Sequence, residues 1–366
     1  MRRGLVIAFV LTWPATAGAA DPVEVATLDT KMRGTLEDFS NGAAFSPDGK
    51  LLAIAEQRNG SWDYIGESGH RITKEKYAKD GLEGFKVGDK ILHDRSKGVI
   101  TIWDVEKKTM VRRIEAHTQA TLRVFFSPDG KLLASVGEEY QGVGYTVTQE
   151  PGTESGPLVM GSGGDCINGS IKIFDVATGK QRAMIRGECM NPPIVAFSAD
   201  GRLIAGPGGT VADYQSTWVW EATTGKRVAR LNSPCGQDER SALAFSPDDR
   251  LVAYGCLDGN VRVWDLTSQQ RLKRLRPQGK KVQLLGLRFS ADGGTLTATQ
   301  TGRSLDWDTR RWQKLRETKL PPTCGDVAEK LDALYRDMSA DGTLMAAFVA
   351  GERKVRVWKL SAPCTR

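Results

Sequence analysis

One five-residue phrase recurs six times along this chain and constrains its fold more than any other feature. Each copy has phenylalanine or methionine, then serine, then proline or alanine, then aspartate, and ends on glycine or aspartate. The copies begin at Phe45, Phe126, Phe197, Phe245, Phe289 and Met338. Each is followed by a short apolar run and then by a strand-like run that closes on an aromatic residue. The closing aromatics are Trp103, Phe174, Trp220, Trp264, Trp307 and Trp358.

The spacing of these features indicates the architecture. The closing aromatics are 43 to 71 residues apart, and each unit holds about four pieces of strand length. Such a period is typical of a β-propeller, in which no unit can bury both of its faces alone. The sequence therefore predicts an all-β propeller that forms a single domain over residues 21–366. Because propellers carry many unrelated functions, function must be argued from a site.

The repeat is clearest in the fourth unit. Its inner strand ends at Phe245, a second strand covers residues 251–255, and a tight turn at 258–259 leads to a third strand that ends on Trp264 and Asp265. These residues resemble the WD-repeat family, and the resemblance covers about residues 45–360.

In that family a His, a Ser or Thr, an Asp and the Trp form a buried hydrogen-bonded set. Here only His117 and Ser135 begin such a set, and Phe174 replaces its Trp. The resemblance therefore implies a structural role for His117.

The number of blades depends on the long first unit. Phe45 and Trp103 are 58 residues apart, whereas Phe245 and Trp264 are 19 apart, so the excess is about one repeat. Strand-like runs at 61–65 and 91–93 narrowly favour seven blades. The five-residue phrase is missing between them, so six blades with a long hairpin excursion are the alternative.

Ring closure is predicted from the two chain ends. The last unit stops after its third strand, while residues 23–28 form a strand with nothing of their own to pair with. We expect this N-terminal strand to complete the last blade, which removes an open sheet edge.

The first 20 residues are typical of a cleaved signal peptide. A basic start precedes an apolar core at residues 5–13 that is too short to span a bilayer, and small residues follow at 17–20. We expect cleavage just before Ala20 or Asp21. This predicts a periplasmic or secreted protein with no transmembrane segment after cleavage.

Because thiols are expected to oxidise outside the cytosol, export predicts that the six cysteines form disulfide bonds. None has metal-ligand spacing, and the chain has only three histidines, so we expect no metal site. In a propeller, the loop entering an inner strand and the hairpin between the second and third strands lie on the same face. This geometry predicts disulfide bonds between Cys166 and Cys189 and between Cys235 and Cys256, leaving Cys324 with Cys364 by elimination.

Basic residues cluster after each closing aromatic, for example at Arg112, Arg113, Lys314 and Arg316. In a propeller this segment is the outermost strand, where Lys and Arg block edge-to-edge pairing. A nucleic-acid stripe would concentrate the charge on one face. We therefore expect edge protection and no nucleic-acid partner.

The sequence shows no catalytic motif with its required spacing. The glycine-rich segment at 161–164 lacks the Gly-Lys-Ser/Thr ending of a nucleotide loop, and there is no Gly-x-Ser-x-Gly or His-Glu-x-x-His. We expect a protein that is not an enzyme and needs no cofactor. The alternative is a lactonase-like or quinoprotein-like propeller that holds a substrate, small ligand or cation at its channel mouth.

Two insertions depart from the repeat, at about residues 57–98 and 138–168. The first is charge-dense and holds aromatic residues, whereas the second is acidic and has no Lys or Arg. Aromatic residues are enriched at interfaces, and acidic loops attract basic partners or cations, so we expect a protein partner to dock on the face that carries the insertions. A solvated acidic loop without a binding role is the alternative. The candidate contact residues are Trp62, Tyr64, Glu138, Glu139, Tyr140 and Tyr145.

Overall fold

The structure, a computed structural model, describes only part of the chain. The described residues are 22–29, 42–58, 63–65, 71–73, 90–93, 97–118, 121–139, 145–148, 158–160, 169–187, 194–207, 216–231, 240–256, 259–276, 284–300, 303–319, 333–339, 341–349 and 354–360. Within these ranges the regular secondary structure consists of β-strands, which confirms the all-β prediction.

The strands are numbered in chain order. The first fourteen are β1 (Val23–Asp29), β2 (Ala43–Phe45), β3 (Leu51–Arg58), β4 (Asp63–Ile65), β5 (Arg71–Thr73), β6 (Lys90–His93), β7 (Lys97–Asp104), β8 (Thr109–His117), β9 (Thr121–Phe126), β10 (Leu132–Glu138), β11 (Tyr145–Thr148), β12 (Leu158–Met160), β13 (Gly169–Asp175) and β14 (Gln181–Gly187). The others are β15 (Ala196–Phe197), β16 (Leu203–Pro207), β17 (Thr217–Glu221), β18 (Arg227–Leu231), β19 (Arg240–Phe245), β20 (Leu251–Cys256), β21 (Val261–Asp265), β22 (Gln270–Leu275), β23 (Leu284–Phe289), β24 (Thr295–Gln300), β25 (Arg303–Asp308), β26 (Lys314–Lys319), β27 (Ala333–Met338), β28 (Leu344–Val349) and β29 (Lys354–Lys359).

Six antiparallel sheets of four strands repeat along the described chain. From the first to the sixth sheet, their strand orders are β2-β3-β7-β8, β9-β10-β13-β14, β15-β16-β17-β18, β19-β20-β21-β22, β23-β24-β25-β26 and β27-β28-β29-β1. The first strand of the first sheet, β2, contacts both β9 of the second sheet and β27 of the sixth. The sixth sheet therefore lies beside the first, as expected for the closed ring of a β-propeller.

The N-terminal strand closes the ring as predicted. Strand β1 pairs with β29 in an antiparallel register that runs from Val23 opposite Lys359 to Asp29 opposite Lys354. Leu28 of β1 is completely buried. Both ends of the described chain are thus held in one sheet, which leaves no open edge there.

The hydrophobic core is divided into layers between neighbouring sheets. Ile100 and Ile102 of the first sheet pack with Leu133 of the second, and Leu52 of the first packs with Phe348 of the sixth. Fully burying one such side chain stabilises the fold by about 1.5 to 3 kcal/mol. Each sheet depends on its neighbours because both of its faces are buried.

The repeated phrase forms the turn between the first two strands of each sheet. In the first copy, the buried Ser46 hydroxyl donates to Asp48 Oδ1 at 2.6 Å and accepts the Leu51 N–H at 2.9 Å. Gly49 has φ 71°, a conformation that favours glycine. The serine, the aspartate and the fifth residue are therefore set by local turn chemistry.

Neighbouring turns touch each other around the ring. A Cβ placed on Gly130 would lie 3.6 Å from Pro47 Cδ in the preceding sheet. The fourth turn differs, because Asp249 takes the place of glycine at φ 57°. Its Oδ1 accepts the Ala199 N–H at 2.6 Å and its Oδ2 the Asp200 N–H at 3.3 Å. A proline in place of Ala199 would have no N–H to donate, so these two departures from the repeat complement each other.

The long first unit is a hairpin excursion. Strands β3 and β7 pair directly along their whole length, from Leu51 opposite Asp104 to Arg58 opposite Lys97. The strands between them, β4, β5 and β6, join β11 and β12 in one five-stranded sheet with the order β12-β11-β6-β4-β5. The narrow preference for a seventh blade is therefore not supported, and the described residues fit the alternative of six.

Candidate interaction site

Both insertions leave the ring at the same end of adjacent sheets. The first follows β3, after Arg58, and the second follows β10, after Glu138. The Ser-Pro-Asp-Gly turns lie at the opposite ends of these two strands. We call the end that carries the insertions the insertion face, and the other end the turn face.

The two insertions combine into a single sheet, which we call the insertion sheet. Strand β6 of the first insertion pairs with β11 of the second, with Ile91 opposite Tyr145. On its other side, β6 pairs with β4, with His93 opposite Tyr64. The insertions of two adjacent ring sheets are therefore held together by backbone hydrogen bonds between their own strands.

A buried polar cluster lies where the second insertion begins. His117, at the end of β8, approaches Ser135 Oγ through Nε2 at 2.8 Å and Glu139 Oε1 through Nδ1 at 2.8 Å. The Ser170 hydroxyl donates to the same carboxylate oxygen at 2.7 Å, and Lys172 Nζ lies 2.8 Å from it. Glu139 thus ties the second insertion to two strands of the ring, β8 and β13.

The charges in this cluster follow from burial and hydrogen bonding. Burial raises the pKa of Glu139, but hydrogen bonds from His117, Lys172 and Ser170 outweigh this effect and hold that pKa below its ordinary value. Burial lowers the pKa of His117 more than the Glu139 carboxylate raises it. We infer a neutral imidazole that donates from Nδ1 to an ionised Glu139 and accepts the Ser135 hydroxyl at Nε2.

Sequence reasoning missed this role of Glu139. The hydrogen-bonded set that began with His117 and Ser135 is completed by Glu139, while Phe174 is buried without a polar atom to contribute. The position of Glu139, four residues after Ser135 and at the start of the hairpin, was the available signal. Its contact with a partner stays a prediction, and its carboxylate already has several donors within the chain.

The other candidate residues are only partly described. Glu138 is the last residue of β10 and lies opposite Gly169 of β13. Tyr64 and Tyr145 belong to strands of the insertion sheet, as given above. Trp62 and Tyr140 lie outside the described residues. The proposed contacts of all these side chains stay predictions.

Among the cysteines, only Cys256 is described. It is completely buried at the end of β20 and is disulfide-bonded in this structure. The buried Arg262 also donates a hydrogen bond to its sulfur. Its pairing with Cys235 stays a prediction, because Cys166, Cys189, Cys235, Cys324 and Cys364 lie outside the described residues. The predicted signal peptide, residues 1–20, also lies outside them.

The basic segments form the outermost strands of the sheets. All six residues of β26 are exposed, including Lys314 and Arg316, and five of the six residues of β22 are exposed. The predicted placement of positive charge on sheet edges is confirmed for these strands.

The described residues include neither a metal-binding cluster nor a helix that could span a membrane. No group of three or more His, Cys, Asp or Glu side chains in these ranges is arranged to hold a metal ion. Nor does any helix in the described part of the chain have the length and apolar character needed to cross a membrane.

The ring of repeated four-stranded sheets, closed by the N-terminal strand, defines the chain as a β-propeller. The family described as WD domain, G-beta repeat matches residues 227–265, which cover β18 to β21. This match confirms the resemblance to the WD-repeat family within one unit of the ring.

Similarity to curated proteins is consistent with this assignment. The chain is 33% identical over 172 residues to the small ribosomal subunit protein RACK1y of Oryza sativa subsp. japonica, covering 45% of this chain and 47% of that protein. It is 28% identical over 296 residues to the angio-associated migratory cell protein of Canis lupus familiaris, covering 73% of this chain and 64% of that protein. It is 24% identical over 270 residues to the telomerase protein component 1 of Rattus norvegicus, covering 72% of this chain and 9% of that protein. The chain therefore spans less than two thirds of each of these relatives.

Proposed function

We propose that this protein is an exported, non-catalytic interaction platform whose partner docks on the insertion face. The pairing of β6 with β11 carries the proposal, because it joins two insertions from adjacent sheets into one surface element. A propeller needs no such sheet to close its ring, and loops on rigid scaffolds commonly carry function. Export rests on the signal-like residues 1–20 and the even number of cysteines.

The turn face offers less to recognise. Five of its turns repeat one conformation with a glycine at positive φ, and the fourth keeps it with Asp249. Their serine side chains are mostly buried. Because five-residue turns present little individual surface, a selective partner has more to contact on the insertion face.

The cluster around Glu139 supports this placement. It fixes the base of the second insertion through His117, Ser170 and Lys172, so the insertion starts from a defined position. A pre-organised surface loses less conformational freedom on binding, which improves affinity.

The experiment is partner capture by crosslinking of the native protein, followed by the same capture with a deletion variant. Deleting residues 141–164 removes β11 and β12 but keeps Glu139 and Cys166, which leaves a short hairpin between β10 and β13. We expect the variant to unfold cooperatively and to lose the captured partner.

A matched control alters the opposite face. Lys50→Glu combined with Lys131→Glu changes two turn-face side chains that are 78% and 81% exposed, and exposed ion pairs of this kind contribute little to stability. Capture should persist in this variant. Capture that survives the deletion, or that is lost in the lysine variant, would place the partner elsewhere.

A further inference from the structure

A cavity of about 370 Å³ lies on the inner side of the ring. It is formed by β2 of the first sheet, β9 of the second and Asp337 on β27 of the sixth. Its lining includes one cationic side chain, Arg123, and one carboxylate, that of Asp337.

Arg123 is the third residue of β9, and the chain around it is fixed in place. The Gly42 N–H donates to the Leu122 carbonyl at 2.9 Å, which joins the first and second sheets at this point. A Cβ on Gly42 would lie 3.3 Å from Arg123 Cα, so the glycine allows the two strands to approach closely. The cavity therefore has a well-defined wall beside the arginine.

The guanidinium of Arg123 has no ion pair or hydrogen bond with any residue the structure describes. The side chain is accessible to solvent, yet burial by the surrounding strands lowers its pKa from the ordinary value. Arginine stays charged in proteins, so the cavity holds a partly desolvated cation. Because the guanidinium is exposed to the cavity, an anion that enters can pair with it directly.

Asp337 restricts which anion fits. Its Oδ2 accepts the Phe45 N–H at 2.8 Å, which holds the carboxylate in the wall of the cavity. Its negative charge repels a second charge on a ligand, so a monoanion is favoured over a doubly charged phosphate. Phe125 and Phe126 also line this space and add apolar surface to it, although each also packs against the core layer on its own side of the second sheet.

We propose that this cavity binds a carboxylate monoanion through Arg123, with an apolar or aromatic body against the phenylalanine side chains. The planar fork of arginine matches the two oxygens of a carboxylate. The group would come from a free carboxylic acid or from the acidic side chain of a bound protein. This ligand site goes beyond the proposed docking on the insertion face and does not depend on it.

The test is a titration with sodium benzoate at constant ionic strength, followed by calorimetry, on the wild type and two variants. Arg123→Gln removes the charge and should weaken benzoate binding at least about tenfold, as expected for loss of a hydrogen-bonded charge. Arg288→Gln is the matched control, because Arg288 is an exposed arginine on β23, the first strand of the fifth sheet, outside this cavity. The Arg288→Gln variant should bind benzoate with the same affinity as the wild type.

The source of the carboxylate is distinguished by a second probe, the peptide acetyl-Phe-Glu-Phe-amide, whose only charge is a side-chain carboxylate. Tighter binding than benzoate assigns the cavity to an acidic side chain of a partner, and weaker binding assigns it to a free acid. In the wild type, a benzoate-induced shift of the Arg123 Nε–H resonance provides a readout that needs no folded variant. No saturable binding of either probe, or equal affinity in Arg123→Gln, would overturn the proposal.

Discussion

Replacing Ala199 by proline removes a backbone N–H that donates to the Asp249 carboxylate of the next sheet. The two departures from the repeated phrase meet at this contact, with a distance of 2.6 Å from Ala199 N to Asp249 Oδ1. The backbone at this position accepts proline in other copies, at Pro47, Pro128 and Pro247. The substitution therefore probes the contact between the sheets rather than the turn itself.

The magnitude follows from two opposing effects. A hydrogen bond to a charged group contributes about 1.5 to 3 kcal/mol, and the half-buried position of Asp249 favours the lower part, about 1.5 to 2 kcal/mol. Proline also restricts the unfolded chain, which stabilises the fold by about 0.4 to 1 kcal/mol. Ala199→Pro should therefore lower the free energy of unfolding by about 1 kcal/mol.

The assay is a double-mutant cycle with Asp249→Gly, measured by urea unfolding at neutral pH. Burial raises the pKa of Asp249 from its ordinary value of 3.8, so the cycle is measured at neutral rather than acidic pH. In the glycine background the N–H has lost its acceptor, and Ala199→Pro should be neutral or stabilising. The effect on the unfolded chain cancels in the cycle, which leaves a coupling of about 1.5 to 2 kcal/mol.

The fifth turn provides a control. It also has alanine at the third position, Ala291, but the sixth turn has Gly342 at the position that Asp249 occupies in the fourth. Ala291→Pro should cost nothing, because Gly342 has no carboxylate to accept a bond. A coupling below about 0.5 kcal/mol is within the additivity of unrelated sites. A coupling energy that small would refute the reasoning. So would a loss of unfolding free energy in Ala291→Pro equal to that in Ala199→Pro.

Three further predictions concern the buried cluster, the mature terminus and the disulfides. Because the pKa of His117 is lowered in the folded state, the unfolded chain binds the extra proton first, so stability should fall as pH drops from 6.5 to about 5. In His117→Gln, the free energy of unfolding measured with urea should depend less steeply on pH over that range. An unchanged pH dependence would show that other groups cause the loss of stability. Intact mass from an exporting host should show a chain that starts at Ala20 or Asp21, and a full-length product would contradict the signal assignment. Peptide mapping without reduction should join Cys235 to Cys256, and a different partner for Cys256 would disprove the proposed pairing.

Much of the fold was predictable because its signals are local. The serine, aspartate and glycine of each phrase bond within one turn, as Ser46 and Asp48 do, so a sequence pattern is enough to recognise them. The position of the N-terminal strand was predictable for a different reason. The last unit lacks a fourth strand, and β1 is the strand without a partner in its own unit.

The candidate site was less predictable because its contacts join residues far apart in the chain. No periodicity predicts that Ile91 of one insertion pairs with Tyr145 of the other. The short strands of both insertions carry no repeated phrase, so the sequence does not show which of them pair. Glu139 was placed on the binding surface, although its carboxylate bonds to His117 in the ring.

The sequence by itself determined the repeat and the strand content, because these follow from patterns within single units. It also determined the closure by β1, because the last unit lacks a fourth strand and the N-terminal strand has no partner of its own. Only the tertiary structure decided the insertion sheet, the contact between Ala199 and Asp249, and the unpaired position of Arg123. Each of these arises where two or more sheets meet. A repeated sequence specifies its units one at a time, whereas the features that distinguish this protein depend on how neighbouring units face each other.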